Sequence, residues 1–300
     1  MNDTLLKTLL IFLCFFIVGV SFNLFISLRT RNIASLKKVL GWLLILPPFA
    51  ISAYFGGYVF LAIVMLIVIV GIEEFYYLAA HCHVKSFKLT GTALGAALPL
   101  IAFLFGSEIF HMSAILFTLG IFAMPIYKRQ IRKDLSIDVP VSSVTILGIL
   151  YVALTSSYFI LIRNMENGLN YLLFFFLITI GNDIFAYYSG KIFGKTKLFS
   201  RVSPNKTLQG SLGGLGVSVL IAYLISYLMP DLGILYILLL GAVISIVSQL
   251  GDLVESSLKR EAHIKDSGKF LPGIGGILDR IDSLLYAAPV VYFFLFLIIK

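Results

Sequence analysis

Charge is scarce in this chain of 300 residues. Asp, Glu, Lys and Arg make up 13% of it, roughly half their share in a soluble domain. That shortage excludes a soluble globular protein. Cysteine is scarcer still. Cys14 and Cys82 are the whole supply, too few and too far apart for a disulfide framework. Acidic residues are outnumbered, 15 against 23 basic ones, which leaves a net charge of +8. The short alternating segments of a membrane β-barrel are missing as well. What the chain has in excess is apolar bulk: 59% hydrophobic side chains and a mean hydropathy of +1.00, which excludes disorder. The charges clump between apolar runs of roughly 16 to 23 residues, the length at which a helix crosses the hydrocarbon core. The sequence therefore predicts an all-α, polytopic integral membrane protein.

Apolar windows predict about ten helices, over 5–28, 39–54, 58–80, 90–106, 109–126, 141–162, 169–190, 211–229, 233–251 and 283–299. Pro47-Pro48 should kink the second. Basic residues give the orientation. Of the 23, 20 follow the odd-numbered helices, and only Lys7, Arg163 and Lys300 fall on the other side. The positive-inside rule then puts the basic loops in the cytoplasm and both termini outside. In a membrane chain this charge faces anionic lipid rather than nucleic acid, so no nucleic-acid partner is expected. The first segment starts with a lone Lys7 and no small-residue cleavage pattern follows, so it reads as a retained helix. Composition shifts near residue 180. Residues 1–170 read as a transmembrane anchor region, and over 171–300 polar groups concentrate at one face of the membrane.

Charged residues close to apolar helices are costly and mark function. After residue 180 the acids are Asp183, Asp231, Asp252, Glu255, Glu261, Asp266, Asp279 and Asp282. All but Asp231 fall on the expected cytoplasmic face, among two basic loops. Carboxylates suit Mg²⁺, and Lys and Arg suit phosphate oxygens. Asp252, Glu255 and Lys259 share one face of a helix, which a solvated helix end would also show. Asp279 and Asp282 begin the last helix, where capping is the plain alternative. Lys259, Arg260, Lys265 and Lys269 surround Asp266, and anionic headgroups alone would attract such a cluster. Asp183 lies inside a helix, with Asn182 before it. Ser203-Pro204-Asn205-Lys206-Thr207 supplies hydroxyls and a lysine just before another helix, a place suited to phosphate. Gly194-Lys195-Thr196 fails as a P-loop, because Ser189 stands where glycine is needed. Gly210, Gly213, Gly214 and Gly216 suit close helix packing better than a dinucleotide. Glu73 and Glu74 mark either the site or the interface. His81-Cys82-His83 cannot converge on one metal ion in regular structure.

Together these stretches resemble a known family. Ser257-Leu258-Lys259-Arg260, Lys265-Asp266, Leu271-Pro272 and Gly275-Gly276-Ile277-Leu278-Asp279-Arg280-Ile281-Asp282 look like the signature of the phosphatidate cytidylyltransferases, the CDP-diacylglycerol synthases. Asn182 to Tyr187, Ser203 to Thr207 and Gly251 to Ser256 are similar to further family motifs, so the likeness covers about 180 to 285. It implies a Mg²⁺-dependent membrane enzyme that joins CTP to phosphatidic acid, with a second cation such as K⁺ and a homodimer. It implies metal ligation by Asp252 and Asp279, with Lys259, Arg260 and Asp266 completing the catalytic set. Asp183, Ser203, Lys206, Thr207, Lys265, Arg280 and Asp282 are the expected substrate-binding residues. The site is expected to face the cytoplasm of a bacterial-type membrane. Two positions depart from the family: Ile274 stands for a histidine before Gly275, and Gln209 for a glutamate. They leave open a paralogue acting on another lipid phosphate, or a catalytically impaired homologue. A CTP-dependent lipid kinase and a transporter are the remaining rivals.

Overall fold

The structure is a computed structural model that describes residues 47–132, 139–268 and 275–299, with the backbone alone over 126–132. The first expected helix, residues 39–46 of the second, and Lys269 and Ile274 lie outside the described residues. Apart from one two-stranded hairpin, the regular structure described is helical. The helices are α1 (47–55), α2 (Gly57–His81), α3 (Lys88–Arg132), α4 (Val139–Arg163), α5 (Gly168–Phe193), α6 (Leu208–Leu224), α7 (Ile234–Glu261) and α8 (Leu278–Ile299). Strands β1 (Lys197–Phe199) and β2 (Ser203–Thr207) pair antiparallel between α5 and α6, with Lys197 opposite Thr207 and Phe199 opposite Ser203.

Six helices among the described residues are long and apolar enough to cross a membrane: α2, α3 (over Lys88–Pro125), α4, α5, α7 and α8. The expected ten compare with these as follows. The helices expected at 90–106 and 109–126 are the two parts of α3, which meet at a kink. Gly106 breaks that helix at φ 75° and ψ −169°, a conformation that suits glycine. The helix expected at 211–229 ends at Leu224 and gives way to a 3₁₀ turn at Ser226–Leu228, so α6 has only 17 residues. The first expected helix lies outside the described residues, and the described half of the second falls in α1.

The chain forms two compact units, interleaved in sequence. One contains α2, α3, α4 and residues 258–281. Its helices approach through small residues, as membrane helices do. A Cβ on Gly71 would meet Val152 Cγ1 at 2.8 Å, and one on Gly148 would meet the Tyr76 ring at 2.5 Å. The buried Tyr76 hydroxyl donates to the Thr145 carbonyl at 3.0 Å. A π-helical stretch, Ile149–Leu154, lies within α4. On α3, Met112, Ile115, Leu116, Leu119 and Phe122 are exposed, an apolar surface that suits lipid rather than water.

The other unit contains α5, α6, most of α7 and α8 from Asp282 onward. The middle of α5, Tyr171 to Ile178, is buried on every side, the pattern of a helix enclosed by others. The glycines of α6 let it close on α5. A Cβ on Gly210 would meet the Ala186 carbonyl at 2.6 Å, and one on Gly214 would meet Asn182 Oδ1 at 2.7 Å. Gly213 abuts the Ser189 side chain, whereas Gly216 faces open space. The packing use expected of this glycine series therefore holds at three of its four positions.

Candidate functional site

Polar side chains gather in each unit around an aspartate paired with a lysine. In the unit of α5 to α7 the aspartate is Asp252. Lys206, at the end of β2, places Nζ 2.8 Å from Asp252 Oδ2 and donates to the Gln249 carbonyl at 3.0 Å. Both Asp252 and Lys206 act electrostatically on Asp183 of α5. Asn182 donates from Nδ2 to Asp183 Oδ1 at 3.1 Å. Its Oδ1 accepts from Ser245 Oγ at 2.7 Å and Gln249 Nε2 at 3.0 Å. Gln249 Nε2 also reaches the Ser211 carbonyl at 3.3 Å. A polar network thus ties α5, α6 and α7 at the level of Asp183. Ser245 and Gln249 were not singled out from sequence. Their one signal was polarity inside an apolar run.

Thr207 caps α6, its hydroxyl accepting from Gly210 N at 3.2 Å. The Ser203 to Thr207 motif, expected simply to precede a helix, is strand β2, and Ser203 lies on it, half-buried. Gln209 turns toward the segment that joins α5 to β1. Its Oε1 accepts from Lys195 N at 3.0 Å and Thr196 N at 3.1 Å. Two acids of this unit are buried: Glu255, and Asp282, whose Oδ1 accepts from Ser283 N at 2.8 Å.

The second group lies in the unit of α2 to α4. Lys259 Nζ is 2.7 Å from Asp279 Oδ1. Asp279 Oδ2 accepts from Ser267 N and Gly276 N, each at 2.9 Å. The Lys259 ion pair and the two backbone amides share this carboxylate. Arg260, Lys265 and Asp266 are exposed, and Arg280 is half-buried. Consecutive glutamates on α2 diverge. Glu73 is partly exposed, accepting from Thr92 Oγ1 at 2.9 Å and lying 4.0 Å from Lys88 Nζ. Glu74 is buried and accepts from Ile277 N at 3.0 Å and Leu278 N at 2.8 Å. Helix α7 is unbroken through Asp252, Glu255, Lys259 and Arg260, beyond the end expected at 251.

Among the described residues no three or more His, Cys, Asp or Glu side chains cluster as a ready metal cage. At His81-Cys82-His83, burial and then the charge of Glu261 push the Cys82 thiol above its usual range, which disfavours the thiolate a metal needs. His81 Nδ1 lies 2.9 Å from the Tyr77 carbonyl.

The sequence pattern of the cytidylyltransferase family matches residues 36–298. The chain belongs to the cytidylyltransferase family. Curated relatives agree. A phosphatidate cytidylyltransferase of Bacillus subtilis (strain 168) is 44% identical over 152 residues, 50% of this chain and 56% of the relative. One from Staphylococcus haemolyticus is 42% identical over 145 residues, 48% of this chain and 55% of the relative. An uncharacterized protein of Escherichia coli (strain K12) is 44% identical over 132 residues, 44% of each chain. The chain thus spans about half the length of the curated relatives it matches. For a cytidylyltransferase, the two aspartate–lysine pairs are the groups to weigh first, because the reaction brings together several phosphate charges.

Proposed function

We propose that the chain transfers the cytidylyl group of CTP to phosphatidic acid, giving CDP-diacylglycerol and pyrophosphate for phospholipid synthesis. The observation that carries this reading is the pairing of Asp252 with Lys206 and of Asp279 with Lys259 in a chain of this family. The names of its Bacillus and Staphylococcus relatives support the substrates. The proposed setting is a bacterial-type cytoplasmic membrane, with the site on the cytoplasmic face where the basic loops gather. Ten spans remain part of this reading. A homodimer and a second cation such as K⁺ are carried by the resemblance alone.

A lipid phosphate oxygen attacks the α-phosphorus of CTP in line. The new P–O bond forms as the bond to the bridging oxygen breaks, and the electron pair leaves with pyrophosphate. An ionised phosphate nucleophile needs little general base, so the demand on the protein is alignment and charge neutralisation. Lys206 and Lys259 hold phosphate oxygens, each having an aspartate that keeps its ammonium in place beforehand. Arg260, Lys265 and Arg280 add positive charge, and Ser203 and Thr207 add hydroxyls. Asp183, Asp266 and Asp282 would stand in or behind the metal's ligand set.

The donor chemistry fits Mg²⁺. This ion takes hard oxygen ligands and commonly only one or two carboxylates, the rest coming from water and substrate phosphates. A complete protein cage is therefore not required. Asp252, with a side chain 43% exposed, offers one carboxylate and Asp279 is the second proposed ligand. When bound, Mg²⁺ would neutralise phosphate charge and polarise the α-phosphoryl group.

Substitution tests this assignment. Asp252→Asn and Asp279→Asn are each expected to lower turnover at least about 100-fold, the scale of losing a preorganised electrostatic group. Near-normal turnover in both would remove the metal assignment.

A further inference from the structure

We infer that Glu74, inside the apolar helix α2, is a positioning residue that clamps the backbone leading into Asp279. The inference rests on the proposed cytidylyl transfer only for its effect on rate. Glu74 is 6% exposed. Its Oε1 accepts from Ile277 N at 3.0 Å and its Oε2 from Leu278 N at 2.8 Å. These groups belong to the amino-terminal end of α8, where backbone donors lack intrahelical partners and negative charge is favoured. Oε2 also accepts from Ser267 Oγ at 3.4 Å. Ser267 is shared: its hydroxyl goes to Glu74, and its N–H goes to Asp279 Oδ2 at 2.9 Å. The other oxygen of Asp279 holds Lys259. Glu74 thus fixes both the segment that gives Asp279 its amide donors and the helix start that carries Asp279.

Two glycines record this arrangement. A Cβ on Gly268 would meet Glu74 Oε1 at 2.5 Å, Cδ at 2.6 Å and Cγ at 2.7 Å. A Cβ on Gly276 would strike Glu74 Oε2 and Ser267 Oγ. Neither glycine has a positive φ. Space, not dihedral freedom, is what they provide: the Glu74 carboxylate occupies the volume that their side chains would fill. An acid inside a membrane span would otherwise be costly. Here hydrogen-bond donors of the loop and of α8 surround it.

The test is a double-mutant cycle on the full chain, purified in detergent with lipid. The proteins are wild type, Glu74→Ala, Gly268→Ala and the double variant, with Glu74→Gln as an isosteric control. Thermal midpoints need no substrate and read the contact directly. Gly268→Ala should lower the midpoint in the wild-type background. It should lower it clearly less once Glu74→Ala has emptied the space, since contacting residues couple whereas independent ones add. Additive shifts would overturn the clamp. Well below the midpoint, Glu74→Gln should cut kcat at least about tenfold while the KM values for CTP and phosphatidic acid move less than about twofold, because misplacement of a reacting group acts on the transition state. Unchanged kcat in a folded Glu74→Gln protein would overturn the positioning role. If wild type makes no CDP-diacylglycerol, the cytidylyl reading fails by itself, and the midpoint cycle still decides the clamp.

Discussion

Gln209 shows how one side chain can look like a lost charge and have another use. The resemblance puts glutamate at this position, so its replacement left open a paralogue acting on another lipid phosphate or a catalytically impaired homologue. In the fold, Oε1 instead accepts two backbone amides of the segment that joins α5 to β1, and Nε2 lies 3.4 Å from Thr196 Oγ1. A glutamate can accept the same two amides and a hydroxyl proton from Thr196. Gln209→Glu is therefore expected to leave turnover within about twofold, whereas Gln209→Ala should cost about 1–2 kcal/mol of stability by removing those bonds. Steady-state rates and thermal midpoints of the two variants would check this. A large loss of rate in Gln209→Glu alone would place Gln209 among the reacting groups after all.

At the scale of elements, the contact between α5 and α6 depends on residues with nothing to protrude. Gly214→Leu would drive a side chain into Asn182 Oδ1 and Ala186 Cβ, whose distances from a Cβ there are 2.7 and 3.0 Å. Overpacking of this kind costs about 1–3 kcal/mol, and here it would also disturb the Asn182–Ser245–Gln249 network. Gly216→Ala meets nothing within 4 Å and should be neutral or slightly stabilising. Thermal unfolding in detergent would separate the two, and equal effects would contradict the packing account. Most helices were legible because apolar runs are long and their polar ends abrupt. Helix α7 shows the limit: its apolar part suggested an end near 251, yet it continues to Glu261, since polar residues such as Glu255 and Lys259 can sustain a helix. The hairpin was not legible. Its five-residue strand β2 contains Ser203, Pro204 and Asn205, which carry no strand periodicity.

At the scale of the whole molecule, the motifs of the site were readable as residue types. Their partners were not. Lys206 with Asp252 and Lys259 with Asp279 are separated by 46 and 20 positions, and spacing on a single helix says nothing about such pairs. Nor could sequence choose between Glu73 and Glu74, adjacent residues of like charge that the fold sends to different surroundings. The proposed orientation has its own test. In a protein with Cys14 and Cys82 replaced by serine, Lys195→Cys should react with an impermeant maleimide only from the cytoplasmic side, and Glu166→Cys only from outside. Labelling of both from one side would invert or break the expected topology.

The central claim is cytidylyl transfer, and product identity tests it most directly. Purified protein in detergent–lipid micelles would receive CTP, phosphatidic acid and Mg²⁺, with the lipid product followed by mass spectrometry and pyrophosphate release measured alongside. The account predicts CDP-diacylglycerol and pyrophosphate in equal amounts, both abolished by chelator. Release of CDP with a newly phosphorylated lipid, or no product from a folded protein beside an active relative, would contradict it.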